Sequence, residues 1–345
     1  MYKEKVARLL SLCLCLGILF IVDLLVGSVY ISFSDIWGAI SGSKSNEIVN
    51  RILFDIRFPK AVTAGLAGAA LSVSGLKMQT LFRNPLAGPS VLGITAGASL
   101  GVASVMLLMG GVLGNVSVAA LGMSMSWVIV IAGVLGAMAV MSVILLVSTK
   151  VNDNIALLVI GIMMGNLTIA FVSIWQYFSA PEQIQDYLMW TFGSVGGVTS
   201  FQLWVLAFNV LVGLVFSFLL AKPLNMFLLG ERYAQSMGLE IGKSRIGIIL
   251  VSSLLAGTIT GFCGPIGFVG VAVPHLARVW MKTSDHKLLI PSCVLIGVSI
   301  MLLCDVISQL PGTNATLPIN AVTALIGSPI VIWVILKSKN LKRSI

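Results

Sequence analysis

The sequence predicts an all-α membrane protein that crosses the bilayer about ten times. Of its 345 residues, 58% are hydrophobic and 10% are charged, and the mean hydropathy is +1.05. An ordinary soluble domain has a charged fraction of about 25%. The apolar residues form long runs, and a membrane-spanning helix needs roughly 20 such residues, whereas a transmembrane β-strand alternates over about ten. The long runs therefore favour a helical bundle over a barrel.

Ten apolar windows give the predicted spans, of which the eighth is short. They lie near 7–27, 60–82, 91–109, 121–148, 154–178, 201–221, 244–263, 268–282, 288–308 and 318–337. The chain is predicted to form one transmembrane domain over 1–345, with an outer loop at 27–59 and an inner loop at 222–243. The segment at 179–200 is too polar to span and too apolar for a free loop, which is typical of a re-entrant helix.

Lysine and arginine residues predict the orientation. An even number of spans places both termini on one side, and with the termini inside, 17 of the 21 basic residues face the cytoplasm, Lys77 among them. Lys44, Arg51, Arg57 and Lys60 remain outside. Because cytoplasmic loops carry an excess of basic residues, both termini are predicted to be cytoplasmic. The net charge of +9 then indicates topology rather than nucleic-acid binding.

The residues indicate no catalytic or metal-binding constellation. The five cysteines lie in or beside apolar runs without a CxxC spacing and are predicted to be core residues. GLEIGKS at 238–244 resembles a phosphate-binding loop, but its glycines are one residue too close together for that motif. Asp23 and Asp305 lie near span ends and could reach an interface. The sequence therefore indicates neither an ion-coupling relay nor an ATPase.

Two breaks rich in glycine and proline interrupt the spans. RNPLAGPSVLG at 83–93 follows span two, GFCGPIGFVGVAVPHLAR at 261–278 follows span seven, and each leads into a shorter helix. Pro85 and Pro89 prevent a regular helix from crossing the first break. On the predicted orientation the breaks face opposite sides, as in an inverted repeat. The general frequency of glycine and proline in membrane helices explains the pattern equally well.

Two surfaces could bind a partner. Arg57 and Lys60, three residues apart at the head of span two, can face one direction; they indicate either interfacial snorkelling or a docking point for an acidic partner. In the inner loop, Tyr233 and Met237 share one face of a short amphipathic helix. That helix could lie on lipid or on a protein.

Three stretches of the sequence resemble the signatures of a known family. RFPKAVTAGLAGAALSVSGLKMQTLFRNPLAGPSVLGITAGASLG at 57–101 closely resembles the first signature of FecCD-type permeases, the membrane subunits of ABC importers for iron chelates, haem and vitamin B12. GPIGFVGVAVPHLAR at 264–278 and LPINAVTALIGSPIVIWVI at 317–335 resemble the second and third signatures. The resemblance implies ten helices in the type II ABC importer fold, with spans two to five repeated inverted as spans seven to ten.

The resemblance also implies a function and partners. The chain would be a non-enzymatic permease subunit that moves a metal chelate, foremost an iron siderophore, across the bacterial cytoplasmic membrane by alternating access at a homodimer axis. Vitamin B12 and haem are alternative substrates, and an ion-coupled secondary transporter is the alternative of another class. The implied partners are a second copy, a periplasmic or lipid-anchored binding protein, membrane lipid, and two ATP-binding-cassette subunits that hold ATP and Mg. This chain would bind no cofactor.

Site residues follow from the same resemblance. Arg57 and Lys60 occupy the basic positions that would dock the binding protein, with Lys60 where arginine is usual; lysine keeps the charge but loses the bidentate geometry. The inner loop looks like a coupling helix for the ATPase, with Gly230, Glu231, Arg232, Ala234, Gln235 and Gly238 as its candidate residues. The path would be lined by spans five and ten and the re-entrant segment, which makes candidates of Met163, Asn166, Trp190, Gly193 and Ser194.

Overall fold

The structure is a computed structural model and is helical throughout its regular elements. It describes residues 2–27, 32, 37–38, 47–109, 124–148, 150–151, 153–310 and 315–343. The helices are α1 Tyr2–Leu25, α2 Glu47–Arg51, α3 Phe58–Leu81, α4 Ile94–Ala103, α5 Met125–Ser148, α6 Asn154–Phe178, α7 Pro181–Thr191, α8 Ser200–Leu219, α9 Ala221–Leu229, α10 Glu231–Ser236, α11 Ile241–Cys263, α12 Val269–Met281, α13 His286–Ser308 and α14 Ile319–Arg343.

The predicted all-α membrane fold is confirmed. Seven helices within the described ranges are long and apolar enough to cross a membrane: α1, the run Glu47–Leu81 that contains α2 and α3, α5, α6, α8, α11 and α13. Ile94–Leu108 and Ile319–Trp333 are shorter apolar helices. Together with the 13-residue α12, they match the ten predicted spans.

Span two begins earlier than the sequence predicts. The chain is helical from Glu47, and a π-helical turn at Ile52–Arg57 joins α2 to α3. Pro59 lies in the first turn of α3, where its missing N–H disturbs no intrahelical hydrogen bond. The charged residues of this extension hide it from an apolar window. The predicted loop at 27–59 is therefore helical over its last part, while residues 28–31, 33–36 and 39–46, with Lys44, lie outside the described ranges.

The first break ends where the sequence predicts. Gly93 adopts φ +72° and forms the N-cap of α4, which starts at Ile94. A side chain in this left-handed conformation is strained, and a Cβ on Gly93 would also lie 3.2 Å from the Gly161 oxygen. Pro89 lies directly against Gly270 at the start of α12, so the two breaks contact each other inside the protein.

Helix packing follows the inverted repeat, which is confirmed. Helix α3 packs on α13, and its repeat partner α11 packs on α5; likewise α4 packs on α5 and α12 on α13. Glycines lie at both long crossings. A Cβ on Gly68 would lie 2.1 Å from the Gly297 oxygen, and a Cβ on Gly133 would lie 3.2 Å from the Gly261 Cα. The backbones thus approach closely, as is common between membrane helices.

Lys77 is buried in α3, which corrects its assignment to the cytoplasmic charges. Its side chain is fully buried, and Nζ donates a hydrogen bond to Ser217 Oγ on α8 at 2.7 Å. Ser217 Oγ in turn donates to the Gly213 oxygen. Counting charges cannot separate a buried lysine from one at the membrane surface. Removing Lys77 from the count leaves the predicted orientation unchanged.

We expect Lys77→Met to stabilise the protein. Methionine has a similar length, and it avoids the desolvation cost of a buried ammonium group, which is on the order of several kcal/mol. The free energy of unfolding should therefore rise by about 1–3 kcal/mol, measured as a higher unfolding temperature in detergent. Ser217→Ala is the control, because it removes the hydroxyl acceptor and should lower that temperature. A lower unfolding temperature for Lys77→Met would contradict the prediction.

Candidate translocation path and coupling surface

A cavity beside α6, here called the α6 cavity, has mainly apolar walls that carry several uncharged polar groups. It measures about 530 Å³ and lies between α4, α6 and α7. Hydroxyl and amide groups supply its polar lining: Ser90, Thr95, Ser99, Asn166, Thr168, Ser173, Gln176 and Tyr187. Such groups both donate and accept hydrogen bonds. The cavity can therefore bind a polar molecule without a preference for one sign of charge.

The predicted path residues fall into two groups. Asn166 lines the α6 cavity, and Met163 lies on the same helix with 54% of its surface exposed. Trp190, Gly193 and Ser194 instead line a smaller cavity of about 180 Å³ between α5, α7 and α11. The sequence placed all five on one path. In the isolated chain Asn166 lines one cavity, Trp190, Gly193 and Ser194 line another, and Met163 is exposed on α6.

Gly193 and Ser194 join α7 to the second break. The Ser194 N–H donates to the Cys263 oxygen at 2.7 Å, and Gly193 has φ +73°. A Cβ on Gly193 would lie 3.0 Å from the Pro265 oxygen. This position therefore requires glycine both for its backbone conformation and for the close approach of Pro265.

Lys60 and its neighbours mark one end of the protein, called the Lys60 end. Lys60 Nζ lies 3.0 Å from Asp305 Oδ1. The Gln309 amide bridges two carboxylates, because Nε2 donates to Asp305 Oδ2 at 3.0 Å and to Asp23 Oδ1 at 3.1 Å. Both aspartates are buried, although their positions near span ends suggested that they could reach the membrane–water interface. These four residues and Arg57 form the Lys60 cluster, which joins α1, α3 and α13.

The structure places the two predicted docking residues inside this cluster. The guanidinium of Arg57 is buried and donates from Nη1 to the Leu24 oxygen at 2.7 Å and the Leu25 oxygen at 3.0 Å, at the C-terminal end of α1. The Lys60 side chain keeps 21% of its surface exposed. It lines a cavity of about 480 Å³ with Asp305 and the Gly193–Gly197 backbone. Lys60 is therefore accessible from this cavity, whereas Arg57 caps a helix.

Helix α10 forms a small exposed surface at the opposite end, called the α10 end. Gly230 precedes the helix with φ +108°, and Ala234 is fully buried beneath it. Glu231 Oε1 faces inward, 3.0 Å from Arg245 Nη2 on α11. Gly238 has φ +85° and lets the chain turn toward α11. Four of the six predicted coupling residues, Gly230, Glu231, Ala234 and Gly238, thus hold α10 in place and do not form its outer face.

Arg232 and Gln235 are exposed on α10, as a coupling role requires. Tyr233 and Met237 are also exposed, by 58% and 54%. The sequence identified this pair as one face of an amphipathic helix but left it out of the coupling residues. The i, i+4 spacing of two large apolar side chains on a polar loop was the signal that could have included them.

The fold and these two ends define a multi-pass transport subunit. Within the described ranges, no group of three His, Cys, Asp or Glu side chains could hold a metal ion. Residues 15–337 match the sequence model of the FecCD transport family. The chain belongs to the FecCD transport family.

Similar proteins cover nearly the whole chain. The vitamin B12 import system permease protein BtuC of Shigella boydii is 32% identical over 330 residues, which cover 94% of this chain and 95% of that protein. BtuC of Escherichia coli is 33% identical over 329 residues, with 94% of each chain covered. A solved structure described as an inward-facing conformation of a putative metal-chelate type ABC transporter matches with a TM-score of 0.83 and 27% identity, over 95% of this chain and 98% of that one. The fold is that of a type II ABC importer permease.

Proposed function

We propose that this chain is the permease subunit of an ATP-driven importer that moves a bulky metal chelate across the bacterial cytoplasmic membrane. The family match over residues 15–337 is the observation that carries this proposal. The chain would work as a homodimer and alternate between two states that expose the path to opposite sides. It would perform no bond chemistry, since ATP and Mg would bind to two partner ATPase subunits.

Cobalamin is the substrate that the relatives favour. The sequence predicts an iron siderophore first, but the similar proteins at 32–33% identity are named for vitamin B12 import. The mainly apolar lining of the α6 cavity, with its few uncharged hydroxyl and amide groups, supports a bulky chelate without a strong net charge. An iron siderophore is the second candidate, because the similar solved structure is described as metal-chelate type.

The α10 end would face the cytoplasm and contact the ATPase. Tyr233 and Met237 supply an apolar face, and Arg232 and Gln235 add polar groups around it. An exposed tyrosine with a polar rim is typical of a protein interface. The part-buried Glu231–Arg245 pair supports this face by fixing α10 on α11.

The Lys60 end would receive the binding protein. An acidic side chain of that partner would enter the cavity beside Lys60 and compete with Asp305 for the ammonium group. Arg57 would take part only if its hydrogen bonds to α1 opened. Docking through these residues therefore implies a rearrangement of the Lys60 cluster.

Uptake in a deletion strain tests the substrate. A strain that lacks this gene is supplied with labelled cobalamin, a ferric siderophore or haem, and uptake is compared with that of the complemented strain. We expect cobalamin uptake to depend on the gene. Gene-dependent uptake of the ferric siderophore alone would replace cobalamin as the substrate, and gene-independent uptake of all three would contradict the proposed function.

A further inference from the structure

Asn225 ties α9 to the start of α13. Its Nδ2 donates to Asp285 Oδ1 at 2.6 Å, while its Oδ1 accepts from the His286 backbone N–H at 2.8 Å and from the ring Nδ1 at 2.7 Å. Burial raises the pKa of Asp285, but hydrogen bonds from Asn225 and the Lys287 N–H, with the charge of Lys287, outweigh it and lower the pKa overall. The ionised carboxylate thus fixes the amide in one orientation.

The other side of the His286 ring reaches α3. Ring Nε2 lies 2.8 Å from Thr80 Oγ1, in the last turn of α3, and both residues are buried. A second contact links α9 directly to the chain after α3, because Arg83 Nη2 donates to the Leu228 oxygen at 3.4 Å. The imidazole therefore lies between the segment that carries α10 and the end of α3.

This arrangement exceeds what a helix cap requires. The Asp285 carboxylate already caps α13 by accepting from the Lys287 N–H at 3.0 Å. The contact between His286 and Thr80 adds nothing to that cap, since Thr80 belongs to another helix. It adds a polar connection between the turn that Asn225 binds and the last turn of α3, at one end of the close packing between α3 and α13.

We propose that His286 is a positioning residue that transmits displacement of α9 and α10 to α3. When the ATPase moves α10, Asn225 moves with α9, and the imidazole passes that movement to Thr80 and the first break. The inference rests on the proposed function, since it names a contact through which ATP hydrolysis by the partner would change the conformation of the translocation path. A broken contact would weaken the coupling between α10 and α3, while the Arg83 contact with α9 would remain.

Thr80→Val tests this connection. Valine has nearly the same shape as threonine but lacks the hydroxyl, which contacts both the ring and the Leu76 oxygen one turn earlier in α3. The bonds among Asn225, Asp285 and His286 remain. The complete complex with its ATPase and binding protein is reconstituted in liposomes with cobalamin, or with the ferric siderophore if that is the chelate the strain takes up. ATP hydrolysis and uptake are measured together. We expect Thr80→Val and Asn225→Ala to raise the ATP consumed per chelate imported by about threefold or more.

Thr283→Ala is the matched control. The Thr283 hydroxyl accepts from the Asp285 N–H at 3.2 Å in the same turn but does not contact the ring, so its ATP-to-chelate ratio should equal that of wild type. His286→Gln, which keeps one polar contact, should give an intermediate ratio. A wild-type ratio in assembled Thr80→Val would overturn the inference, as would equal losses of hydrolysis and uptake. A wild-type complex without ATP-driven uptake would instead contradict the proposed function.

Discussion

Lys60→Met is expected to lower the free energy of unfolding by about 3 kcal/mol, because it leaves the buried Asp305 carboxylate without its ion-pair partner. Lys60 Nζ is 3.0 Å from Asp305 Oδ1, and the Asp305 side chain is only 1% exposed. Asp23 is also buried and shares the Gln309 amide with Asp305. Removing the lysine would therefore leave the Asp305 carboxylate buried and without the charge that compensates it. The measurement is the unfolding temperature of the purified protein in detergent.

Two variants control for simple loss of packing at Lys60. Lys60→Arg keeps the positive charge and should retain most of the stability. Lys60→Met combined with Asp305→Asn removes both charges and should recover part of the loss, because the pair rather than either partner is then deleted. If Lys60→Met unfolds at the wild-type temperature, the Lys60 cluster does not stabilise the fold in the way described.

Tyr233→Glu combined with Met237→Glu is expected to abolish assembly with the ATPase. Both side chains are more than half exposed on α10, and burying two new carboxylates in an apolar contact costs several kcal/mol. Loss of one interface tyrosine alone can weaken binding by about 2 kcal/mol, or roughly 30-fold. The measurement is co-purification of the ATPase with the tagged permease from membranes.

Tyr177→Glu is the matched control for this double variant. Tyr177 is 83% exposed and lies near the C-terminal end of α6. The opposite, N-terminal end of α6 is the one near α10, because the Val151 oxygen just before this helix accepts a hydrogen bond from Arg245. The same substitution thus lies far from α10. Equal ATPase recovery from the double variant and the control would remove α10 from the proposed interface.

The sequence predicted the fold well because membrane spans leave a strong local signal. Apolar windows located the spans to within a few residues, and the start of α4 at Ile94 followed from the glycine and prolines before it. The helical extension from Glu47 was missed, since its charges lower the local hydropathy. Predicting the inverted repeat required the family resemblance, because the general frequency of glycine and proline in membrane helices explains the two breaks equally well.

The candidate site was harder to predict because its contacts join distant parts of the chain. The burial of Asp23 beside Asp305 and of Lys77 beside Ser217 depends on packing between helices that no local pattern reports. Arg57 was predicted to face outward, but its guanidinium caps α1. The sequence around His286 contains no recognisable motif, although this residue of α13 contacts both α3 and α9. In α10, local amphipathic spacing was informative, and there the sequence found the exposed face.

The most direct test of the central claim is uptake of labelled chelate by liposomes that contain this chain with its ATPase and binding protein. We predict uptake that requires ATP, the binding protein and an active ATPase, and that stops when the ATPase is inactivated by mutation. Uptake driven by an ion gradient without ATP would contradict the account and favour a secondary transporter.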